Sequence, residues 1–171
     1  MKVRKEYSEN RYVRDLLRKI KVRDVMSFPV HTIYDYEPLS KAMEIFVDKG
    51  VYYLPVVNKE DQIVGMLTSK YVYKTQSPRK ILSQDMTYRS DMVLVGDSYY
   101  DKGVIDTYKL GNVMHPNPIT LTPEDSAADA IVLMAKHRVG CIPIVKVRRQ
   151  VCGILTTHDI VRVAAQILTE D

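Results

Sequence analysis

The sequence of 171 residues lacks the features that mark secreted, disulfide-stabilised or membrane-spanning proteins. It contains only two cysteines, Cys141 and Cys152, which cannot form a disulfide framework. No apolar run approaches the roughly 18 residues that span a bilayer, and the charged N-terminus lacks the apolar core of a secretory signal. We therefore expect a cytoplasmic protein with no membrane segment and with free, mostly buried thiols.

Motifs for catalysis and metal binding are also missing. The four histidines and two cysteines do not show the spacing of metal ligands such as CxxC pairs or HExxH. The seven glycines form no phosphate-binding loop, and no nucleophile elbow is present. Only a Ser/His/Asp triad assembled by the folded chain would escape this search, so we expect neither a catalytic residue nor a metal site.

The net charge of +4 is an N-terminal property, because residues 1–24 contain nine Lys or Arg and only four acids. Apolar residues at helical spacing predict an amphipathic helix there, which we assign to residues 1–19. We favour a helix that packs on the domain or across a dimer, since no DNA-binding motif accompanies the charge. The alternative is a basic arm that meets nucleic acid or an acidic partner. The apolar positions are Val13, Leu16, Leu17 and Ile20.

The most informative pattern is an internal repeat with a constant offset of 88 residues (113 − 25 = 88). Val25-Met26 returns as Val113-Met114, and no gap is needed between the two copies. A register held over this length indicates two copies of one supersecondary unit. The same offset relates Thr32 to Thr120, Ala42 to Ala130, Pro55 to Pro143, Val57 to Val145, Gly65 to Gly153 and Thr68 to Thr156.

Each copy shows the same order of predicted elements: a short strand, a helix, two strands and a closing helix. In the second copy we expect Thr122 to cap the first helix, with Pro123 at its first position and acids in the first turn. The buried stripe of that helix is predicted as Ala127, Ala130, Ile131 and Met134. The predicted strands are 30–33, 51–57 and 63–67 in copy one, and 119–121, 139–147 and 151–155 in copy two.

One such copy cannot bury both faces of its sheet, whereas two copies packed face to face can. We therefore predict an α+β fold of two βαββα repeats related by pseudo-two-fold symmetry, with equivalent clefts at their junction, plus the N-terminal helix. The predicted repeats are 20–77 and 110–171, joined by a connector at 78–109. In the connector we expect a helix at 78–82 and a strand at 92–95.

The last strand of each copy ends in a motif with polar side chains. In copy two, residues 153–159 lead from a strand into a helix, and Thr156 and Asp159 place a hydroxyl and a carboxylate three residues apart. Copy one keeps the hydroxyl as Thr68, but Tyr71 replaces the carboxylate. The pair in copy two also fits a helix capping box, which needs no ligand. Both interpretations remain open from the residues alone.

The duplicated pattern resembles the cystathionine β-synthase (CBS) domain, which occurs as tandem pairs. The resemblance covers most of the chain, and here we interpret the sequence as a stand-alone pair. It is carried by Val113-Met114 followed by Ile119-Thr120-Leu121, by the strand motif at 139–145, and by the motif at 153–160.

The resemblance implies an adenosine-containing ligand, of the AMP, ADP, ATP, NAD or S-adenosylmethionine class, in a cleft between the repeats. In the family the hydroxyl and carboxylate of the last motif hold the ribose, which implies this role for Thr156 and Asp159. Charge-assisted hydrogen bonds of this kind are short and strong. The other ligand-binding candidates are Ile119 and Thr120 at the adenine, Val139 and Pro143 lining the cleft, and His137, Arg138 and Arg162 at a phosphate.

We predict a regulatory module that binds such a ligand and transmits its occupancy to an effector protein. The resemblance also implies a homodimer. Because Tyr71 replaces the carboxylate in copy one, we expect a single competent site per chain. Two alternatives remain: a nucleic-acid-associated regulator acting through the N-terminal helix, and an interaction module whose clefts are filled by side chains such as Tyr52 and Tyr53.

Overall fold

A computed structural model of the protein describes residues 11–70, 92–95 and 98–169. The chain forms two compact units. Unit I combines Met1–Val30 with Ile119–Asp171, and unit II is the continuous segment His31–Pro118. Each unit therefore joins the body of one sequence copy to the leading segment of the other copy.

The described residues form helices and strands in both units. The helices are α1 (Arg11–Lys19), α2 (Val22–Val25), α3 (Leu39–Asp48), α4 (Lys102–Ile105), α5 (Leu110–Val113), α6 (Ala127–His137) and α7 (Thr157–Thr169). The strands are β1 (Ile33–Tyr34), β2 (Tyr53–Val57), β3 (Ile63–Thr68), β4 (Met92–Val95), β5 (Ser98–Asp101), β6 (His115–Pro116), β7 (Cys141–Val145) and β8 (Val151–Thr156), and a short 3₁₀ turn covers Val147–Arg149.

The sheets of the two units follow one plan. In unit II the strand order is β1-β2-β3-β6, with β1 parallel to β2 and the other pairs antiparallel. In unit I, β7 and β8 are antiparallel, Leu121 lies beside Ile144 in a parallel bridge, and Ser27 lies beside Ile154 in an antiparallel bridge. These bridges repeat those of unit II at the offset of 88 residues, so the predicted internal repeat is present in the hydrogen bonding.

The fourth position of each sheet is occupied by the leading segment of the other copy. In unit II this is β6, whose His115 pairs with Met66. In unit I it is Ser27, which donates its N–H to the Ile154 carbonyl (2.9 Å) and accepts from the Ile154 N–H (3.1 Å). The leading segments of the two copies are thus exchanged between units.

A glycine on the third strand lets each exchanged segment approach the sheet. A Cβ added to Gly153 would lie 2.5 Å from the Met26 sulfur, and a Cβ on Gly65 would lie 2.8 Å from Cγ of Met114 and closer still to its sulfur. Real Cβ atoms do not tolerate such distances. The repeated Val-Met and Gly motifs of the sequence therefore form one packing contact, made once in each unit.

Each unit has its own apolar core, formed where a helix covers one face of its strands. The fully or nearly fully buried side chains of unit I include Val22, Leu121, Ala130, Met134, Ile142, Ile144, Leu155 and Val163. Those of unit II include Ile33, Leu39, Ala42, Met43, Phe46, Leu54, Val56, Leu67, Ile105 and Leu110.

The predicted cap of the first helix in copy two is wrong. Helix α6 begins at Ala127, and its cap is Ser126, whose hydroxyl accepts from the Asp129 N–H at 3.1 Å. Thr122 instead donates its hydroxyl to Asp125 at 2.8 Å and closes a separate turn. Two S/T-x-x-D patterns occur in succession, and the one directly before the apolar stripe starts the helix.

Other predicted elements agree with the structure in part. The predicted N-terminal helix is present as α1 from Arg11 to Lys19, with Val13 of its stripe exposed, and residues 1–10 lie outside the described residues. The strand at 92–95 is confirmed as β4. Strand 139–147 is shorter than predicted, and 119–121 makes only one bridge. In the stripe of α6, Ile131 is half-buried whereas its three other members are buried. The predicted helix at 78–82 lies outside the described residues.

The close contact of each methionine with its glycine predicts that a larger residue at the glycine lowers stability. Gly65→Ala should lower the free energy of unfolding by about 2 kcal/mol, because the new methyl group overpacks against the stem of Met114. Gly153→Ala should cost less, since Met26 is approached nearer its flexible end. Urea denaturation measures both.

A matched control is Gly111→Ala, where an added Cβ meets nothing within 4 Å in helix α5. This variant should be as stable as the wild type or slightly more stable, because alanine favours helices. Equal losses for all three variants would contradict the packing contact.

Candidate functional site

The carboxylate of the last motif lies at the start of α7, where strand β8 turns into the helix. Thr156 ends β8 and caps the helix: its N–H donates to Asp159 Oδ2 at 2.8 Å, and the Asp159 N–H donates to Thr156 Oγ1 at 3.3 Å. This is a complete capping box, of the kind that stabilises a helix by about 1 kcal/mol. Thr156 and Asp159 therefore do cap the helix, which is one of the two interpretations that the sequence left open.

Asp159 is far more enclosed than a helix cap requires, since it is only 2% exposed. Oδ2 also accepts from the Thr156 hydroxyl at 2.7 Å. Oδ1 accepts from the Ser27 hydroxyl at 2.9 Å and from Nη2 of Arg162 at 2.9 Å. Four donors thus occupy the roughly four lone-pair positions of this one carboxylate.

These partners explain how a charge is tolerated in a buried position. Burying an unpaired carboxylate is costly, whereas pairing and hydrogen bonding offset much of that cost. Arg162 supplies the counter-charge, and its side chain is 50% exposed. The same Nη2 atom donates to the Val25 carbonyl oxygen at 3.3 Å, so Arg162 also holds the exchanged segment, which contains Ser27.

Ser27 is the residue that the sequence did not reveal. It lies 132 positions from Asp159 and carries no motif of its own. The available signal was its place directly after Val25-Met26, the pair that is repeated as Val113-Met114. Only the exchange of leading segments brings this serine to the motif of copy two.

The predicted cleft-lining strand lies next to the capping box. The Gly140 carbonyl accepts from the Thr157 N–H at 3.0 Å, and Cys141 is paired with Thr156 across β7 and β8. Val139 is half-buried at the entry to this strand.

The two predicted adenine-binding residues directly precede Leu121, which pairs with β7 on the edge opposite to β8. Ile119 and Thr120 are half-buried, and the Leu121 N–H donates to the Pro143 carbonyl at 3.3 Å. Pro143 itself is buried within β7. It stands between the core residues Ile142 and Ile144 in the strand, and its carbonyl fixes the neighbouring segment.

The predicted phosphate residues His137 and Arg138 lie at the end of α6, and both are exposed. Arg138 adopts a left-handed backbone (φ 53°, ψ 39°), which costs a non-glycine residue roughly 1–2 kcal/mol. The equivalent residue in copy one is Gly50, with φ 60°. Copy two therefore keeps a cationic side chain at a position where glycine is favoured.

The two thiols are free, as predicted, but half-buried rather than mostly buried. Burial raises the pKa of Cys141 to about 12. Burial also raises the pKa of Cys152, although the charge of Lys146 acts in the opposite direction. Both thiols are therefore protonated at neutral pH, which makes them poor nucleophiles.

The matching site of copy one is only partly described. Thr68 ends β3 and is half-buried, and the Ser69 N–H donates to the Tyr52 carbonyl at 3.0 Å, as Thr157 does to Gly140. The Tyr52 side chain is 74% exposed. Tyr71, which replaces the carboxylate, lies outside the described residues, so the expected difference between the sites stays a prediction.

Within the described residues, no cluster of three or more His, Cys, Asp or Glu side chains is suited to hold a metal ion. No helix in this part of the chain is both long and apolar enough to cross a membrane.

Comparisons with known proteins identify curated relatives that share this region. A homoserine O-acetyltransferase from Methanococcus vannielii is 24% identical over 139 residues, which are 81% of this chain and 24% of that protein. CBSX2, a chloroplastic CBS domain-containing protein from Arabidopsis thaliana, is 25% identical over 145 residues, which are 82% of this chain and 61% of that protein. The chain thus spans about a quarter of the length of the first relative.

Solved structures share the fold. A CBS domain pair in complex with 5′-methylthioadenosine and S-adenosyl-L-methionine matches with a TM-score of 0.64 and 22% identity, covering 86% of this chain and 97% of that one. CBSX2 in complex with AMP matches with a TM-score of 0.63 and 22% identity, covering 87% and 98%. The CBS domain family model matches residues 22–77 and 110–166, which are more than half of the sequence. The chain therefore belongs to the CBS domain family and contains a tandem pair of these domains.

Proposed function

We propose that this CBS pair binds an adenosine-containing ligand at Asp159 and acts as a regulatory module without catalytic activity of its own. The observation that carries the proposal is the buried Asp159 carboxylate, held by Thr156 at the point where β8 meets α7. A cap alone does not require a carboxylate that is 2% exposed and bound to four donors. Two structures with this fold contain AMP, or 5′-methylthioadenosine with S-adenosyl-L-methionine.

The proposed roles follow from the chemistry of the groups. The Asp159 carboxylate accepts a hydrogen bond from one of the two vicinal hydroxyls of a ribose, and the Thr156 hydroxyl oxygen, which lies beside it, accepts from the other. Backbone groups of Ile119 and Thr120 meet the adenine edge, and the strand that follows Val139 lines the site. The ligand is of the AMP, ADP, ATP, NAD or S-adenosylmethionine class, because the ribose is the part that this motif recognises.

Affinity should depend on both ribose hydroxyls. If AMP binds, 2′-deoxy-AMP and 3′-deoxy-AMP should bind about ten- to a hundredfold more weakly, because each loses one of the two hydrogen bonds that hold the ribose at Asp159 and Thr156. Isothermal titration calorimetry with AMP, ATP, NAD and S-adenosylmethionine identifies the best ligand, and its deoxy analogues then complete the series. Equal affinities for the ribose and deoxyribose forms would contradict the assignment, as would the absence of binding for all four compounds.

Arg138 is proposed to contact a phosphate, which explains why an unfavourable backbone is retained. Arg138→Gly should raise the free energy of unfolding by about 1 kcal/mol, because glycine adopts a left-handed backbone without strain. The same variant should bind AMP about tenfold more weakly while its affinity for adenosine is unchanged, since only the phosphate contact is lost.

Arg149→Gly is the matched control for Arg138→Gly. Arg149 is also exposed and left-handed (φ 60°), but it lies in the turn between β7 and β8. It should stabilise the protein without changing the affinity for AMP. A loss of affinity in both variants would indicate a general electrostatic effect rather than a phosphate contact at Arg138.

We further propose that the protein forms a homodimer and passes on ligand occupancy to an effector protein. Apolar side chains on one face of α7 support the dimer: Val161 is 64% exposed and Leu168, seven residues later, is 84% exposed. A ligand shifts such an assembly only as far as it binds one arrangement more tightly than the other.

Light scattering after size exclusion should give a dimer for the wild type and a monomer for Leu168→Glu, which places a charge in the apolar face. Gln166→Glu is the control, because it adds the same charge at another exposed position of α7 and should remain dimeric. A monomeric wild type would refute the dimer.

The basic N-terminal helix is less well suited to nucleic acid. Leu16, Leu17 and Ile20 are half-buried, and Ile20 packs against the core of unit I, so α1 is attached to that unit. Arg11, Arg14 and Arg18 are exposed, as expected for the solvated face of such a helix. Binding to nucleic acid and a cytoplasmic location both stay predictions from the sequence.

A further inference from the structure

The four hydrogen bonds of Asp159 leave no lone-pair position for a ribose. Oδ2 is occupied by the N–H and the hydroxyl of Thr156, and Oδ1 by Ser27 and Arg162. A carboxylate offers about four such positions in total. A diol that binds this carboxylate must therefore displace donors that are already present.

The four donors differ in how easily they leave. The Thr156 N–H is fixed by the backbone at the start of α7, and the Thr156 hydroxyl belongs to the same capping box. Arg162 carries a charge, and its bond to Oδ1 is charge-assisted on both sides. The Ser27 hydroxyl is neutral and leaves by rotation about one side-chain bond, while the backbone bonds of Ser27 to Ile154 stay in place.

Resting on the proposed function, we infer that the Ser27 hydroxyl occupies the ribose position on Asp159 and sets the affinity for ribose-containing ligands. It is the same chemical group as the ribose hydroxyl that replaces it. Binding thus exchanges one O–H···O hydrogen bond at Oδ1 for another, and the net gain is smaller than at a vacant acceptor. Ser27 competes with the ligand although it belongs to the site.

If Ser27 has this role, removing its hydroxyl should raise the affinity for the ligand, whereas removing a residue from a binding site usually lowers it. Ser27→Ala removes the competing donor, so it should tighten the binding of AMP, ATP, NAD and S-adenosylmethionine, which share one adenosine moiety, by about tenfold, equal to about 1.4 kcal/mol. The gain should be absent for 2′,3′-dideoxy-AMP, which has no hydroxyl to take the vacated position. Calorimetry on the full chain measures each affinity.

Three further variants make the experiment specific. Ser27→Thr keeps a hydroxyl and should bind like the wild type. Ser27→Cys places a weak donor at the same position and should also tighten binding, which provides a second test if the alanine variant is unstable. His115→Ala alters the residue that corresponds to Ser27 in unit II, where it is exposed, and should leave the affinities unchanged.

The outcomes separate this inference from the proposed function. Tighter binding in Ser27→Ala and Ser27→Cys, confined to ligands with ribose hydroxyls, supports it. Equal or weaker binding in both variants, with AMP or another of the four compounds bound by the wild type, overturns the role of Ser27 and leaves the Asp159 site standing. If none of the four compounds binds the wild type or any variant, both proposals fail.

Discussion

The structure of unit I depends on the buried carboxylate of Asp159. It caps α7 with Thr156, pairs with Arg162 on the same helix, and accepts a hydrogen bond from Ser27 in the leading segment of copy one. A buried charge requires such partners. Those partners lie on three elements, namely the end of β8, helix α7 and the exchanged segment, so this one side chain joins all three.

Each copy depends on the other for one segment of its sheet, because the leading segments are exchanged. The last position of each sheet is taken by the leading segment of the other copy, and Met26 and Met114 fill the space that Gly153 and Gly65 leave open. Neither copy is complete as a continuous piece of chain. The offset of 88 residues thus relates the packing contacts of the two units as well as their sequences.

Much of this could be predicted from the sequence, for identifiable reasons. The repeat, the α+β class and the pairing of Thr156 with Asp159 follow from spacing alone, because strands, helices and capping boxes are local. The cap at Thr122 was misplaced because two similar patterns lie in succession, and Ser126 is the one next to the apolar stripe. Ser27 could not be predicted, because no local pattern reports a hydrogen bond across 132 residues.

We propose that each chain recognises one ribose, at Asp159. The most direct measurement is the calorimetric stoichiometry for AMP, ATP, NAD and S-adenosylmethionine, with the wild type and with Asp159→Asn, which keeps the size of the side chain and removes its charge. We predict one molecule of the best ligand per chain and no measurable binding to the variant at the same concentrations, with the variant shown to be folded. Two molecules per chain, or binding that persists unchanged in Asp159→Asn, would show that Asp159 is not the ribose site.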